Sequence, residues 1–271
     1  MKNKNNDKDE FKEMKYILTS TMRTKLIISL YEKTKNVQDL RNELNKPSAT
    51  ILHGLKELEN LNYVKKLNKY YSLTSNGHIL AVNLIKLIEN WYSIKINKIF
   101  WDSHDLDQIP EKQIQNIYQL KNAECVMSTT TDLSKALTTY LNLIANENKL
   151  NIILPVFSEV HIDKLIELLK NKSLTELKII TTEEVIDSIE HSPKYKNTLL
   201  NNEKVIIYLL DSAIKLFLTV NNNFMSLTLF FKDEQYDDSQ ILIDTSKDGV
   251  KWGKELFNYY KKMSKEFKKD S

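Results

Sequence analysis

A change in hydrophobic periodicity near residue 100 constrains the fold of this chain more than any other feature. Before it, apolar residues recur every three or four positions, which is the spacing of amphipathic helices. After it, short apolar runs typical of buried strands alternate with helical runs. The chain has 271 residues, of which 41% are hydrophobic, enough for two compact cores of ordinary size. The sequence therefore predicts two domains.

Charge divides at the same place. Residues 1–100 hold 18 Lys and Arg against 10 Asp and Glu, a net charge of +8. Residues 101–271 hold 21 against 26, a net charge of −5. The basic part therefore predicts a polyanionic partner, whereas the acidic part predicts a different role.

Several features indicate the compartment. The charged N-terminal stretch lacks the apolar core of a signal peptide, and no run reaches the ~18 apolar residues of a membrane span. The single cysteine, Cys125, excludes a disulfide within one chain and suits a reducing cytosol. We expect a soluble cytoplasmic protein with no membrane partner. We also expect Cys125 to be a small buried hydrophobe rather than a reactive thiol.

The first 45 residues predict a tail followed by two helices. Residues 1–14 are predicted to be a disordered polar tail, and helical spacing predicts one helix over residues 15–33. Asn36 is a suitable N-cap for a second, short helix over residues 37–45.

Pro47 marks the start of a third helix. Proline disfavours helical geometry at Lys46, so the chain turns there, and Ser48 is predicted to cap a helix over residues 48–62. The buried stripe of this helix consists of Ile51, Leu55, Leu58 and Leu61. Its other side is polar and is predicted to face outward.

A short basic hairpin is predicted next, over residues 63–74. Helix, short helix, turn, helix and hairpin is the order of a winged helix-turn-helix domain, predicted here over residues 15–75. The third helix is then a recognition helix for double-stranded DNA, with base contacts from Thr50 and His53. Solubility alone is the other explanation of the hairpin lysines. The predicted DNA-contacting residues are Lys46, Ser48, Thr50, His53, Lys56, Lys65, Lys66, Lys69 and Tyr70.

The run SATILHGLKELENLNYVKKLNKYYSLTSNG resembles the winged helices of ArsR-type and related archaeal regulators. Their recognition helix ends in a Leu-x-x-Leu-Glu-x-x-Gly-Leu-Val pattern. This chain departs from it by carrying Asn62 and Tyr63 where Gly and a small apolar residue are commoner. Because Asn tolerates the left-handed conformation, we expect the end of the helix to be preserved.

Residues 76–100 are predicted to form a connecting helix that is apolar on more than one face. One face must pack on the winged helix, and the other needs a second partner. We favour a second copy of the chain, because a homodimer would present two recognition helices to a pseudo-palindromic site. Packing against the C-terminal domain is the alternative.

Residues 101–271 are predicted to form an α/β sandwich around a mixed sheet, which makes the chain α+β overall. Two strands joined by Asn221, Asn222 and Asn223 predict an antiparallel hairpin. The predicted strands are Cys125 to Ser128, Leu150 to Pro155, Leu177 to Thr181, Val205 to Leu210, Lys215 to Val220, Phe224 to Phe231 and Gln240 to Asp244.

No catalytic signature can be assembled from this domain. The four glycines are too scattered for a phosphate-binding loop or a nucleophile elbow. The five histidines include no zinc-binding pair, and none is followed two residues on by lysine. We therefore predict that the protein is not an enzyme and has no catalytic residues, no cofactor and no metal site. A metal-sensing regulator is a less favoured option.

Two further motifs extend the resemblance across most of the chain. Residues Trp101, His104, Leu106, Ile109 and Pro110 form an opening motif, and a closing motif is formed by Trp252, Gly253, Leu256, Phe257, Tyr259 and Tyr260. With the winged helix, these motifs resemble the archaeal methanogenesis-regulatory (Fil-type) transcription regulators. The resemblance implies a sensor or assembly domain coupled to the DNA-binding domain.

If a small molecule binds, two places are predicted. Thr129, Thr130 and Thr131 precede a predicted helix and suit an anion, while Tyr236 and Trp252 suit aromatic walls. Trp252 also has the helical spacing of a core residue, which is the favoured alternative.

The sequence as a whole predicts a homodimeric transcription regulator that binds double-stranded DNA and responds to an effector of unknown identity. The alternative is an α/β enzyme whose winged helix serves protein interaction. Neither the operator, the regulated genes nor the sign of regulation follows from the sequence.

Overall fold

A computed structural model describes residues 4–171 and 173–267, with side chains from residue 11 onward. The chain forms two compact units, the first ending at Glu89 and the second beginning at Asn90. This division falls inside the segment predicted to connect the domains. Among the described residues, no helix is both long enough and apolar enough to cross a membrane.

The first unit is a helical domain with a small antiparallel sheet. Its sheet has the order β1-β3-β2. The helices are α1 (Lys4–Thr19), α2 (Thr21–Glu32), α3 (Val37–Leu44), α4 (Ser48–Asn60) and α5 (Ser75–Ile96), the last continuing into the second unit, and the strands are β1 (Lys35–Asn36), β2 (Val64–Leu67) and β3 (Tyr70–Leu73). Their order is that of a winged helix-turn-helix, and α4 is its third helix if α2 is counted as the first.

Three local predictions for this unit are wrong. The segment predicted as a disordered tail is helical from Lys4, while residues 1–3 lie outside the described residues. The helix predicted over residues 15–33 is two helices, because Ser20 ends α1 and caps α2 by accepting a hydrogen bond from the Arg23 amide. Pro47 occupies the N-cap of α4, so Ser48 is its first helical residue instead of its cap.

Two other predictions are confirmed. Asn36 caps α3, and its side chain and that of Asp39 form a reciprocal capping box. Asn62 has φ of 58°, the left-handed conformation expected where related winged helices carry glycine. The chain can therefore turn from α4 into β2 without a glycine.

The second unit is a three-layer α/β/α sandwich. Its helices are α6 (Lys98–Ser103), α7 (Glu111–Ile114), α8 (Lys135–Ile144), α9 (Glu159–Lys170), α10 (Glu183–Glu190), α11 (Pro193–Tyr195) and α12 (Lys247–Met263), with a 3₁₀ helix at Ile117–Leu120 and a π-helix at Lys196–Leu200. Its strands are β4 (Glu124–Met127), β5 (Lys149–Ile153), β6 (Glu176–Thr181), β7 (Val205–Leu209), β8 (Leu216–Val220), β9 (Met225–Leu229), β10 (Gln240–Asp244) and β11 (Lys265–Glu266).

The strands form one mixed sheet in the order β11-β7-β6-β5-β8-β9-β10-β4. Strands β5, β6 and β7 are parallel, and the remaining pairs are antiparallel. The predicted mixed α/β fold and the hairpin at Asn221–Asn223 are confirmed. The connecting helix ends at Ile96, earlier than predicted, and α6 follows it as a separate helix.

Successive strand residues point to opposite faces of the sheet and contribute to two separate hydrophobic cores. Ile152 lies in the core on the side of α8, α9 and α10, whereas its neighbour Ile153 lies in the core on the side of α12. A strand buried on both faces carries apolar residues at successive positions, as β5 does at Ile152 and Ile153. The sheet thus separates two faces of the unit that carry different candidate sites.

Candidate nucleic-acid surface and candidate ligand cavity

The polar face of α4 is open to solvent. Thr50, His53 and Lys56 are exposed, and the His53 side chain is 76% exposed. Ser48 is half-buried, and Lys46 in the preceding turn is exposed. Ile51, Leu55 and Leu58 pack on the opposite face in the core of the unit. The helix thus presents the side that the sequence predicts for base contacts.

The wing is a tight hairpin with a basic tip. Leu67 pairs with Tyr70, which leaves Asn68 and Lys69 as a two-residue turn, and Asn68 is left-handed with φ of 56°. All three predicted lysines, Lys65, Lys66 and Lys69, are exposed, and Tyr70 is 50% exposed. Leu67, which the sequence analysis did not single out, is 74% exposed beside them. These residues form one accessible surface.

A partly buried cluster of Tyr16, Arg23 and Glu57 holds α4 to α1 and α2. The sequence analysis missed this cluster. The Tyr16 hydroxyl donates to Glu57 Oε1 at 2.5 Å, and Arg23 Nη1 donates to Glu57 Oε2 at 2.9 Å. The Arg23 guanidinium also stacks over the Tyr16 ring at 3.6 Å. The hydrogen bond from Tyr16, with that from Arg23, holds the pKa of Glu57 below its ordinary value. His53 lies 3.5 Å from this carboxylate, so the cluster reaches the exposed face.

Apolar side chains are exposed along α1 and α5. Trp91 is 69% exposed and Ile79 is 62% exposed, both on α5. The set on these helices comprises Phe11, Met14, Tyr16, Leu18, Ile79, Val82, Leu87, Ile88, Trp91, Tyr92, Ile94 and Ile96. Those on α5 lie in the segment predicted to have a second apolar face.

In the second unit, a cavity of about 460 Å³ lies between the starts of α8 and α9 and the sheet. Its lining residues are mostly apolar or aromatic: Leu133, Ser134, Ala136, Leu137, Tyr140, Val156, Phe157, Ser158, Val160, His161, Phe217, Thr228, Tyr236, Asp238, Gln240 and Ile241. Small-molecule sites usually have volumes of about 300–1,000 Å³ and this kind of lining.

The predicted ligand residues do not form one site. Tyr236 lines the cavity and packs on the core on the side of α8 and α9. Trp252 lies in the other core, is 1% exposed and donates its indole N–H to the Gln113 carbonyl at 3.0 Å. The structure therefore does not place Trp252 and Tyr236 on opposite walls of one site. Trp252 has the surroundings of a core residue, which was the favoured alternative.

Thr129, Thr130 and Thr131 lie in an exposed turn before α8. The Asp132 amide donates to Thr129, and the hydroxyls of Thr129 and Thr131 are 3.1 Å apart. Helix α8 starts later, at Lys135, with Ser134 as its N-cap. The threonines are thus separated from the helix start, whereas Ser134 itself lines the cavity.

A buried His–Asp pair joins the opening motif to the sheet. His104 Nε2 lies 2.9 Å from Asp237 Oδ2, and Nδ1 lies 2.6 Å from the Phe100 carbonyl oxygen. Both side chains are almost fully buried, at 0% and 1% exposure. Burial acts to raise the pKa of Asp237, but hydrogen bonds from His104 and Ser239 outweigh it and leave the pKa below its ordinary value. Asp237 therefore stays ionised inside the unit.

Cys125 is half-buried on β4. Burial raises the pKa of its thiol to about 11, so the thiolate that reacts with oxidants and electrophiles is scarce at neutral pH. This fits the expectation of a packing residue.

Together the two units define a class of protein, in which a winged helix precedes an α/β domain built on a mixed sheet. Sequence comparison then identifies the family. Residues 11–91 match the N-terminal domain, and residues 133–263 the middle domain, of the methanogenesis regulatory protein FilR1. These matches cover more than half of the chain, which belongs to this family of regulatory proteins.

Individual relatives are more distant. Methanogenesis regulatory protein FilR1 of Methanothrix harundinacea (strain 6Ac) is 25% identical over 265 residues, which are 96% of this chain and 59% of that protein. The chain therefore spans about three-fifths of the length of that relative.

Two solved structures are similar at lower levels. TrmBL2, an archaeal chromatin protein, has 13% identity and a TM-score of 0.40, with 89% of this chain and 91% of that chain covered. Phosphatidylserine synthase of Haemophilus influenzae Rd KW20 has 15% identity and a TM-score of 0.37, with 73% and 56% covered. Scores this low carry no functional assignment.

Proposed function

We propose that this protein is a DNA-binding transcription regulator whose winged helix contacts double-stranded DNA and whose second unit serves sensing or assembly. The observation that carries the proposal is the exposure of the α4 polar face beside a wing with three exposed lysine side chains, Lys65, Lys66 and Lys69. Membership of a regulatory family supports this role and favours a non-enzymatic protein.

The proposed contacts divide into two kinds. The lysines at positions 46, 56, 65, 66 and 69 reach phosphates, which supply affinity and salt dependence but little sequence preference. Thr50 and His53 face base edges in the major groove, with Ser48 and Tyr70 at the two ends of the surface. Glu57 links α4 to Arg23 of α2 and to Tyr16 of α1, and these contacts hold the helix at the edge of its exposed face.

The wing is tested by its lysines. In mobility shifts on sheared genomic duplex at several salt concentrations, Lys65→Ala/Lys66→Ala should weaken binding roughly tenfold or more and reduce the slope of log K against log salt by about 1.8, since each lost phosphate contact removes about 0.9. Lys251→Ala/Lys262→Ala, an exposed pair on α12 with the same change in charge, should bind like the wild type. Equal slopes for the wing variant and the wild type would rule the wing out as a DNA contact.

We further propose that the exposed apolar face of α5 forms a homodimer, which would present two recognition helices to half-sites about one helical turn of DNA apart. In sedimentation equilibrium, the wild type should be a dimer, and Trp91→Glu should shift it to monomer, because a carboxylate would be buried in an apolar interface. Ser212→Glu, in an exposed loop of the second unit, should remain dimeric. A dimeric Trp91→Glu variant would exclude this face.

A further inference from the structure

The cavity of the second unit has aromatic walls that are held in place before any ligand binds. The rings of Tyr140, His161 and Phe217 pack against one another, with centroids 5.1–5.2 Å apart in all three pairs. The Tyr140 hydroxyl hydrogen-bonds to Thr219 at 3.2 Å, and Phe217 lies on the buried strand β8. Walls fixed in this way bind a flat ring at low conformational cost.

The charge of the cavity argues against an ionic ligand. Burial lowers the pKa of His161 to about 4, so its ring is uncharged at neutral pH. Asp238 is the one charged side chain among the described lining residues, and it is exposed at the rim. An anion would leave water for a cavity without a cation and would face this carboxylate. A cation would gain little from a carboxylate that solvent screens.

Hydrogen-bond donors are concentrated at one end of the cavity. Ser134 and Ser158 line it and are the N-caps of α8 and α9. In the described part of the chain, the Ala136 amide in the first turn of α8 donates to Ser128 Oγ at 3.2 Å. The Ser158 hydroxyl does not cap α9, which leaves the amides of the first turn of α9 for a ligand. Such donors suit the oxygen of a neutral carbonyl group. Ser158 Oγ lies 2.8 Å from His161 Nδ1, which links this end to the aromatic wall.

We propose that this cavity binds an uncharged aromatic small molecule that carries a carbonyl group. Its ring packs against Tyr140, His161 and Phe217, and its oxygen accepts hydrogen bonds at the start of α9. The volume of about 460 Å³ fits one substituted ring or a fused pair of rings. This site rests on the proposed sensing role and gives it a ligand class.

Three probes of nearly equal shape separate the ligand classes. Benzamide is neutral, benzoate is an anion and benzamidine is a cation, so charge is the variable. Binding to the full-length protein is followed by NMR of ¹³C-labelled histidine rings, with the His161 signal assigned by its loss in His161→Phe. Benzamide should shift this signal with a Kd on the order of 1–10 mM, the range for a ligand of this size. Benzoate and benzamidine should bind at least about tenfold more weakly, a difference of ~1.4 kcal/mol.

A cavity-filling variant locates the site. Val160 lines the cavity and is 48% exposed, so Val160→Trp can cover the opening without disturbing a core, and it should weaken benzamide binding at least tenfold. Ile114→Trp, at a position 38% exposed and away from the cavity, should bind benzamide like the wild type. The proposal is overturned if benzoate or benzamidine binds as tightly as benzamide, if Val160→Trp leaves binding unchanged, or if none of the probes shifts His161 at about 20 mM, several times the expected Kd.

Failure of this inference is distinguishable from failure of the proposed DNA-binding role. Mobility shifts of Val160→Trp without benzamide should match those of the wild type, because the substitution lies in the second unit. Loss of benzamide binding with intact DNA binding then concerns the cavity alone. If the wild type binds benzamide but does not shift DNA, the proposed ligand cavity is supported and the proposed DNA-binding role is contradicted.

Discussion

Replacing Asp237 by alanine should lower the free energy of unfolding of the second unit by about 3–5 kcal/mol. The carboxylate accepts from His104 Nε2, from the Ser239 amide and hydroxyl, and from Gln240 Nε2, at 2.6–3.0 Å. Its removal leaves these donors without an acceptor, and His104 is fully buried. Because Trp91, Trp101 and Trp252 all lie in the second unit, tryptophan fluorescence during urea unfolding of the whole chain reports on that unit.

The neighbouring residue provides a matched control. Asp238→Ala removes the same charge from an exposed position and should change the unfolding free energy by less than about 0.5 kcal/mol. The double variant His104→Phe/Asp237→Ala should recover part of the loss, because both members of the pair are then absent. An Asp237→Ala variant within about 1 kcal/mol of the wild type would show that the pair is hydrated in solution.

Strand and helix positions in the second unit could be predicted because they depend on local pattern. Strand β7 is an unbroken apolar run, Val-Ile-Ile-Tyr-Leu, and it pairs with β6 along its whole length. Helix α9 repeats apolar residues every three or four positions. Periodicity of this kind identifies an element and the face it buries.

Errors in the first unit came from short polar residues, whose roles depend on the backbone around them. A serine such as Ser20 can lie inside a helix or cap one. Its role as the N-cap of α2 depends on how α1 and α2 pack. Ser48 has the right residue type for a cap, but proline at position 47 already has a conformation suited to the N-cap. Pattern alone places such residues near a helix end without deciding which side.

Side-chain partners distant in sequence could not be predicted at all. Arg23 and Glu57 are 34 positions apart, and His104 and Asp237 are 133 apart. One weak signal was available, since Arg23 is one of only two arginines in a lysine-rich chain. The cavity also depends on tertiary structure, because it collects residues from α8, α9, β8 and the loop before β10. Tyr236, which was predicted as an aromatic wall together with Trp252, lines this cavity, whereas His161, Tyr140 and Phe217 were not predicted as ligand residues.

Trp252 shows how one helical pattern can support two roles, and its replacement separates them. A ligand wall can be truncated with little loss of stability, whereas a buried core tryptophan cannot. Trp252→Ala should therefore destabilise the second unit by about 3–5 kcal/mol, through lost packing and the cavity left behind. Trp252→Phe should cost less, about 1–2 kcal/mol, because the ring is largely kept while the hydrogen bond to the Gln113 carbonyl is lost.

Circular dichroism at 222 nm during urea unfolding provides the measurement, since both variants remove a fluorophore. Lys251→Ala, at the adjacent exposed position of α12, should stay within about 0.5 kcal/mol of the wild type. If Trp252→Ala is as stable as Lys251→Ala, then Trp252 is not a core residue and the sheet face beneath α12 is open. With the expected loss, α12 is a structural cover for that face of the sheet.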